Sequence, residues 1–216
     1  HMVKPRLIYL SQTTELGTVY QQKELNQIAD FAHNHGMLLY IDGARLGSAL
    51  TAEKSDCTLA HLAKVADAFS IGGTKNGMLF GEALVIVNDA LKPDFRYFIK
   101  QKGGLLAKGW LLGLQFQVMF RDGLYYRLAE HANEQSRKIY AVLEECRIPM
   151  FAEAVSNQLF PIFPWSFIME LAQNFSFEII EKIDADKAVI RLVTSWATAD
   201  HDVEILCTWL RKFQVE

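Results

Sequence analysis

Lys75 and Asp42 are the residues of this chain whose type and position best suit covalent chemistry. Lys75 lies in SIGGTKNGMLF, residues 70–80, a glycine-rich stretch that follows an apolar run. Asp42 ends another apolar run, LLYID, and Arg45 comes three residues later. A lysine amine in a pocket of low polarity loses its proton more easily and can form a Schiff base. A buried aspartate needs a cation as its partner, and a protonated ring nitrogen would be one.

A simpler interpretation of the same residues stays open at this point. The stretch Asp-Gly-Ala-Arg at 42–45 is good turn chemistry, so Asp42 could cap the following turn. Lys75 would then be a solvated turn residue. Spacing alone does not separate this interpretation from the catalytic one.

Other chemistries find little support in the sequence. GGTKNG lacks the spacing of a phosphate-binding Walker loop, and no GxGxxG fingerprint follows the first apolar run. His33 and His35 are two residues apart and would not share a helix face, so we predict no metal site. Three serines lack the context of a nucleophile elbow: Ser48, Ser70 and Ser195.

The elements that carry these residues alternate between strands and helices. We predict strands at RLIYLSQ, MLLYID, DAFSIGG and EALVIVN, and helices at QQKELNQIADFAHNHG, TLAHLAKVA and residues 89–100. This rhythm predicts an α/β layer with a mainly parallel sheet. Asp42 and Lys75 follow two of its strands, and ligands of such sheets bind beyond the carboxyl ends of the strands. Both side chains should therefore lie at one crevice.

The pattern changes in the second half of the chain. Residues 105–146 are helical almost throughout, with a break at 121–123. Short strands are predicted at PMFAEAV, NQLFPIF, FEIIEKI and AVIRLVTS, with a helix at PWSFIMELAQNF and a terminal helix at TADHDVEILCTWLRKF. We therefore predict a partial large α/β domain at 3–104, connecting helices at 105–146 and a small α+β domain at 147–216. Because four strands make a small sheet of this kind, we expect a front portion to be missing or supplied by another chain.

Composition narrows the class of protein and its partners. The chain has 216 residues, is 50% hydrophobic and carries a net charge of −3. That balance predicts neither a nucleic-acid partner nor an anionic membrane surface. Three widely spaced cysteines without a CxxC pair favour reduced thiols and a cytoplasmic location. No apolar run is long enough to span a bilayer.

Three stretches together resemble the low-specificity threonine aldolase / β-eliminating lyase family. They are YIDGARLGSAL, ADAFSIGGTKNG and KQKGGLLAKGWLLGLQFQVMF, and AVIRLVTSWATADHDVE is similar to the family's closing strand and helix. Members are fold-type-I enzymes that depend on pyridoxal 5′-phosphate. The resemblance implies the C-terminal part of an aspartate aminotransferase-like large domain, followed by a small domain.

The resemblance also implies roles for individual residues. Lys75 matches the lysine that binds the cofactor through a Schiff base, and Asp42 matches the partner of the pyridine nitrogen. Arg45 matches the neighbouring arginine near the ring and phosphate, while Thr74 stands where the family often has serine. Arg191 resembles the arginine that pairs with the substrate carboxylate, although an edge-strand arginine on a solvated face is the simpler alternative.

Two departures from the family pattern bear on the phosphate site. Where members often have an arginine in a GGGMRQAG stretch, KGGLLAKG here has Leu106, with Lys108 two residues on. Lys108 is therefore our candidate for a substitute, although an ammonium does not replace a forked guanidinium freely. The family's phosphate loop and its ring-stacking aromatic or histidine come from the portion expected to be missing.

The resemblance implies a lyase that cleaves β-hydroxy-α-amino acids to glycine and an aldehyde. A pyridoxal phosphate-dependent β-eliminating lyase acting on aromatic or sulfur amino acids is the first alternative. The second is a truncated, non-catalytic fragment that does not hold the cofactor. Family active sites lie at subunit interfaces, so the resemblance also implies a homodimer or homotetramer.

Overall fold

A four-stranded sheet forms the first half of the protein in the computed structural model, which describes residues 1–213. Its strands run in the order β1 (Leu7–Ser11), β2 (Leu38–Asp42), β3 (Ala68–Gly72) and β4 (Glu82–Ile86). The first three are parallel, and β4 is antiparallel to β3. The predicted mainly parallel sheet is confirmed.

Three helices cover one face of this sheet. They are α1 (Gln22–Asn34), α2 (Leu46–Leu50) and α3 (Leu59–Val65). Alternate residues of β2, Leu39 and Ile41, are fully buried in the core beneath these helices, together with Leu25 of α1 and Leu62 of α3. Because side chains alternate along a strand, Tyr40 and Asp42 lie on the opposite, half-exposed face.

A second sheet is built around one long central strand, β8 (Lys187–Val193). It pairs antiparallel with β5 (Gln158–Leu159), β6 (Ile162–Pro164) and β7 (Glu178–Lys182). Three helices pack around it: α6 (Leu124–Glu145), α7 (Trp165–Leu171) and α8 (Asp200–Leu210). Two further helices, α4 (Phe95–Gln101) and α5 (Trp110–Phe120), lie between the sheets in the chain order.

The long helix α6 contributes to both hydrophobic cores. Tyr125, near its beginning, is fully buried in the core of the first sheet. Ile139 and Leu143, near its end, are buried in the core of the second sheet. The division into domains at 104 and 146 stays a prediction, since α6 runs without a break from one core to the other.

Most predicted elements are present, but four details of the prediction were wrong. PMFAEAV forms only one bridge, between Met150 and Pro161, rather than a strand. NQLFPIF divides into β5 and β6 around Pro161, which has no N–H to continue a ladder. The helix predicted at 89–100 is a 3₁₀ turn followed by α4, with Pro93 and the left-handed Asp94 between them. Helix α5 begins only at Trp110, after a turn.

No helix within residues 1–213 is both long enough and apolar enough to cross a membrane. The same residues contain no group of three or more His, Cys, Asp or Glu side chains placed to hold a metal ion.

Candidate active site

Two loops meet at the carboxyl ends of β2 and β3, and glycines allow them to touch backbone to backbone. Gly72 N–H donates to Gly43 O at 2.9 Å, and Gly43 N–H donates to Ser70 Oγ at 2.9 Å. A Cβ on Gly43 would lie 2.0 Å from Ser70 O, and one on Gly72 would lie 2.4 Å from Ala44 O. Neither contact is sterically possible, so glycine is required at both positions. The loop of Asp42 and Arg45 is thereby held against the loop that carries Lys75.

The Asp42 carboxylate is oriented by two donors. Ala44 N–H donates to Oδ1 at 2.9 Å, and the Tyr9 hydroxyl donates to Oδ2. Tyr9 stacks on Tyr40 with ring centroids 5.5 Å apart, because the two are register partners in β1 and β2. The hydrogen bond to Asp42 is the main cause that raises the pKa of Tyr9 to about 12. Tyr9 therefore keeps its proton and its donor role throughout the neutral range.

Lys75 lies in a 3₁₀ turn, Thr74–Asn76, directly after β3. This turn is fixed from below, because Asn76 Nδ2 donates to Tyr125 O at 2.8 Å and the Tyr125 hydroxyl donates to Gly72 O at 3.0 Å. Lys75 itself is exposed. It lines an open cleft of about 400 Å3, whose other walls are Ala44, Gly72, Gly73, Thr74, Gly81 and Glu82.

Charge and partial burial together favour the neutral amine of Lys75. Desolvation lowers its pKa, and the positive charges of Arg45 and Arg191 lower it further, while Glu15 and Asp42 act in the opposite direction. A lowered pKa is what a lysine nucleophile requires near neutral pH. Neither Lys75 nor Arg45 has an ion-pair partner among the described residues. Both cations are thus available to an anionic ligand.

Arg191 approaches this cleft from the second sheet. Desolvation and the charge of Arg191 are the two largest effects that lower the pKa of Arg45. The two guanidinium groups are therefore near enough to repel each other. Arg191 is on β8, the central strand, and its side chain is only 20% exposed. The alternative of a solvated edge-strand arginine is therefore wrong.

Buried polar contacts hold α2, which follows Arg45, against the strand of Arg191. Ser48 on α2 donates to Asn133 Oδ1 of α6 at 2.5 Å, and Asn133 Nδ2 donates back to Ser48 O at 3.0 Å. Asn157 N–H donates to Ser48 Oγ at 3.2 Å, and its side chain donates to Thr194 O at 2.7 Å, just beyond β8. Because these groups are buried and paired with one another, they hold α2 against α6 and against the residues that follow β8.

Five of the six residues singled out from the sequence are linked in the structure, either by their effects on the pKa values of Lys75 and Arg45 or by lining one cleft. The charges of Asp42, Arg45 and Arg191 all act on the pKa of Lys75, Arg191 also lowers the pKa of Arg45, and Thr74 lines the same cleft as Lys75. Lys108 is exposed in the loop before α5, and it is not among the main charges that act on Lys75 or Arg45.

Sequence reasoning missed three residues that bond to the candidate site or its loops: Tyr9 to Asp42, Tyr125 to Gly72 and Glu178 to Arg191. The sequence contained a signal for Tyr9, because β1 and β2 each carry a central tyrosine and two such strands could pair with these tyrosines side by side. The sequence contained no signal for Tyr125 or Glu178, since tyrosine is common in helices and glutamate is common on exposed strands. Their contacts exist only after the chain has folded.

The arrangement can bind a carbonyl compound that also carries negative charge. Lys75 supplies the amine, Asp42 supplies a fixed carboxylate for a ring nitrogen, and Arg45 supplies a cation without a paired carboxylate. Arg191 offers a second, partly buried guanidinium, which suits a carboxylate.

The family model described as "Beta-eliminating lyase" matches residues 1–163 of the chain. The chain belongs to the β-eliminating lyase family. The resemblance inferred from the Asp42 and Lys75 stretches is thus confirmed.

Relatives with this family's fold match nearly the whole chain. A low specificity L-threonine aldolase of Pseudomonas sp. (strain NCIMB 10558) is 32% identical over 218 residues, covering 98% of this chain and 60% of its own length. A solved structure of Leishmania major threonine aldolase is 46% identical with a TM-score of 0.95, covering 98% of this chain and 62% of its own. The chain therefore spans about 60% of the length of these relatives.

More distant structures in the comparison show the fold alone. A serine palmitoyltransferase of Sphingomonas wittichii is 14% identical with a TM-score of 0.69, and the match covers 96% of this chain and 54% of that one. Together with the Leishmania structure, it confirms the predicted α/β fold class with a mainly parallel sheet.

Proposed function

We propose that this protein is a pyridoxal phosphate-dependent lyase that cleaves the Cα–Cβ bond of β-hydroxy-α-amino acids, giving glycine and an aldehyde. The observation that carries the proposal is the backbone hydrogen bond from Gly72 to Gly43, which joins the loop of Asp42 and Arg45 to the loop of Lys75, with Arg191 among the charges that act on Lys75. The names of the Pseudomonas and Leishmania relatives support the same reaction class.

The residues at the cleft fit pyridoxal phosphate in three respects. Lys75 is an accessible amine whose pKa burial lowers, so it suits the cofactor's aldehyde. Asp42 is a carboxylate already oriented by Ala44 and Tyr9, so it suits the protonated ring nitrogen. Arg45 is a cation that suits the neighbourhood of the ring and the phosphate, and Thr74 lines the cleft beside Lys75. Lys108 is the weaker candidate for the phosphate, because it lies apart from the other cations.

In the reaction, the protein's own groups bind and orient the substrate. Arg191 holds the α-carboxylate, and the Ser48–Asn133–Asn157 contacts join α2, which follows Arg45, to the segments around it. Lys75 would hold the cofactor's aldehyde through its amine, and desolvation and the charge of Arg45 lower the pKa of that amine. When bound, the cofactor supplies an electron sink for the carbanion left by Cα–Cβ cleavage.

Reductive trapping tests the assignment of Lys75. Full-length protein treated with pyridoxal phosphate and borohydride should carry a phosphopyridoxyl group on Lys75, located by peptide mass spectrometry. Lys75→Ala should abolish both this modification and glycine formation from threonine. Lys64→Ala, which removes an exposed lysine of α3, should change neither. Trapping on a different lysine, or activity that survives in Lys75→Ala, would show that the assignment is wrong.

β-Elimination is the second candidate reaction, and membership of the β-eliminating lyase family favours it. The same groups would serve, but the bond broken would be between Cβ and its leaving group. Product analysis separates the two reactions, since aldol cleavage yields glycine and an aldehyde whereas β-elimination yields a 2-oxo acid and ammonia.

We further infer that the protein is a cytoplasmic homodimer or homotetramer that acts on free amino acids. The three thiols, Cys57, Cys146 and Cys207, are unbridged, which suits a reducing compartment. Helix α5 is apolar all round, yet of its side chains only Met119 is buried. A helix of this composition normally lies within a core or an interface.

A further inference from the structure

Glu178 is the carboxylate that lies against Arg191. The two residues are register partners in the antiparallel pair of β7 and β8, and Glu178 Oε2 lies 2.5 Å from Arg191 Nη2. Their exposure is unequal, because Arg191 is 20% exposed and Glu178 is 65% exposed. All five residues of β7 are exposed, and its ladder is irregular between Ile179 and Glu181. Glu178 can therefore move away from Arg191 without disturbing a packed core.

The contact with Glu178 engages Nη2 of Arg191 but not its Nε. Its Nε is buried and has no hydrogen-bond partner among the described residues. Nε and Nη2 lie on one edge of the guanidinium, and a carboxylate placed side-on to that edge accepts from both. Glu178 takes one nitrogen of this edge and leaves the other unpaired, which is an unfavourable state for a buried donor. A carboxylate that engaged both nitrogens would satisfy Arg191 better than Glu178 does.

Glu178 also moderates the positive charge of the cleft. Its charge raises the pKa of Arg45, against the effects of desolvation and Arg191. When an anionic ligand is absent, Glu178 thus offsets part of the repulsion between the two arginines. An arriving carboxylate would take over that role.

We propose that Glu178 is a built-in competitor of the substrate carboxylate at Arg191. It holds the guanidinium in place in the free protein and gives way when an amino-acid carboxylate binds to Nε and Nη2. The proposal rests on the proposed function, which assigns the substrate carboxylate to Arg191. It makes Glu178 a determinant of specificity, because an amine without a carboxylate cannot displace it.

The expected size of the effect follows from the exposure of the pair. Ion pairs with one well-exposed partner contribute at most about 1 kcal/mol, so removing the competitor should tighten carboxylate binding by about two- to fivefold. The change should appear in affinity and in KM for the amino acid, with little change in kcat.

The test compares Glu178→Gln with Glu15→Gln in the full-length protein. Glu15 is exposed, and its charge acts on both Lys75 and Arg45, but its side chain bonds to Ser11 rather than to Arg191. Both substitutions therefore remove one negative charge near the cleft, and only the first frees the edge of Arg191. The dissociation constants of glycine, which has a carboxylate, and of ethylamine, which lacks one, would be measured by calorimetry.

We expect Glu178→Gln to tighten glycine binding by about two- to fivefold and to leave ethylamine binding unchanged, with a smaller gain for Glu15→Gln. Weaker glycine binding in Glu178→Gln would overturn the proposal and make Glu178 a residue that Arg191 needs for its orientation. An equal gain in both variants would also overturn it, because the effect would then be one of general charge.

Arg191→Lys separates a failure of this proposal from a failure of the proposed function. If glycine binding does not depend on Arg191, the assignment of the carboxylate site is wrong and the competitor has nothing to compete for. If glycine binding falls in Arg191→Lys but shows no gain in Glu178→Gln, only the competitor proposal is wrong. The Nε–H resonance of Arg191 in the NMR spectrum, which should shift on glycine binding, gives a readout that is independent of activity.

Discussion

At the scale of single residues, the environment of Lys75 distinguishes it from the protein's surface lysines. It is exposed to the cleft, yet burial and two nearby guanidinium groups lower its pKa. Asp42, which raises it, is oriented by its contacts with Tyr9 and Ala44. The amine is thus accessible and less strongly protonated than an ordinary lysine, and this combination favours attack on a carbonyl.

The pH dependence of Lys75 modification should reveal the influence of Arg45. Because the charge of Arg45 disfavours the ammonium form, Arg45→Met should raise the pKa of Lys75 and move the midpoint of its reaction with formaldehyde and cyanoborohydride to higher pH. The extent of methylation at each pH would be measured by mass spectrometry of the Lys75 peptide. Arg6→Met, which removes an exposed arginine before β1, should leave the midpoint in place. A midpoint that moves to lower pH in Arg45→Met would contradict the electrostatic explanation.

At the scale of elements, α6 is the support to which both halves of the cleft are attached. Asn133 accepts from Ser48, donates to Ser48 O and donates to Thr51 Oγ1 at 2.9 Å, so it joins α6 to α2. Thr194 Oγ1, just beyond β8, donates to Ala132 O at 2.6 Å, so the neighbouring residue of α6 joins the strand of Arg191. Buried polar networks of this kind specify one arrangement of the packed elements.

Removing Asn133 should therefore destabilise the protein clearly. Asn133→Ala deletes three hydrogen bonds and leaves buried groups of α2 unpaired, and we expect the free energy of unfolding to fall by about 2–4 kcal/mol. The adjacent Glu134 is exposed on the same helix, so Glu134→Ala should change it by less than about 0.5 kcal/mol. Urea denaturation of the two variants measures both values. Equal stability of the two variants would mean that the network does not hold α6 in place.

At the scale of the whole molecule, apolar surface is concentrated on α5 and the loop before β4. Leu79, at 84% exposure, and Trp110, at 64%, are the most exposed of these side chains, and Leu111, Leu114 and Val118 extend the patch along α5. Gln115 of α5 accepts from Leu79 N–H at 2.9 Å, which ties the patch to the loop that begins with Lys75. The surface we assign to subunit contact is therefore continuous with the cleft.

A charge placed in this patch should change the oligomeric state. Leu114→Glu puts a carboxylate among apolar side chains, and burying it in an interface would be costly, so we expect a shift to smaller species. Analytical ultracentrifugation of the full-length protein would detect the shift. Met169→Glu makes the same chemical change at an exposed position of α7 and should leave the assembly intact. Dissociation by Met169→Glu instead of Leu114→Glu would place the interface elsewhere.

The amino-acid sequence by itself determined the order of elements, the parallel sheet and the placement of Asp42 and Lys75 after two of its neighbouring strands. These follow from local patterns, since apolar periodicity marks strands and helices and the carboxyl ends of parallel strands share an edge. The sequence also placed breaks poorly, as at Pro93 and Pro161, where a missing N–H decides the boundary.

Only the tertiary structure decided which partners orient those residues. Tyr9 and Asp42 are 33 positions apart in the chain, and Tyr125 and Gly72 are 53 apart. The register of β1 on β2 and the packing of α6 under the loop of Lys75 bring them together. The pairing of Glu178 with Arg191 likewise depends on the register of β7 against β8. Local periodicity contains no information on register across the sheet, so these contacts appear only when the folded chain sets it.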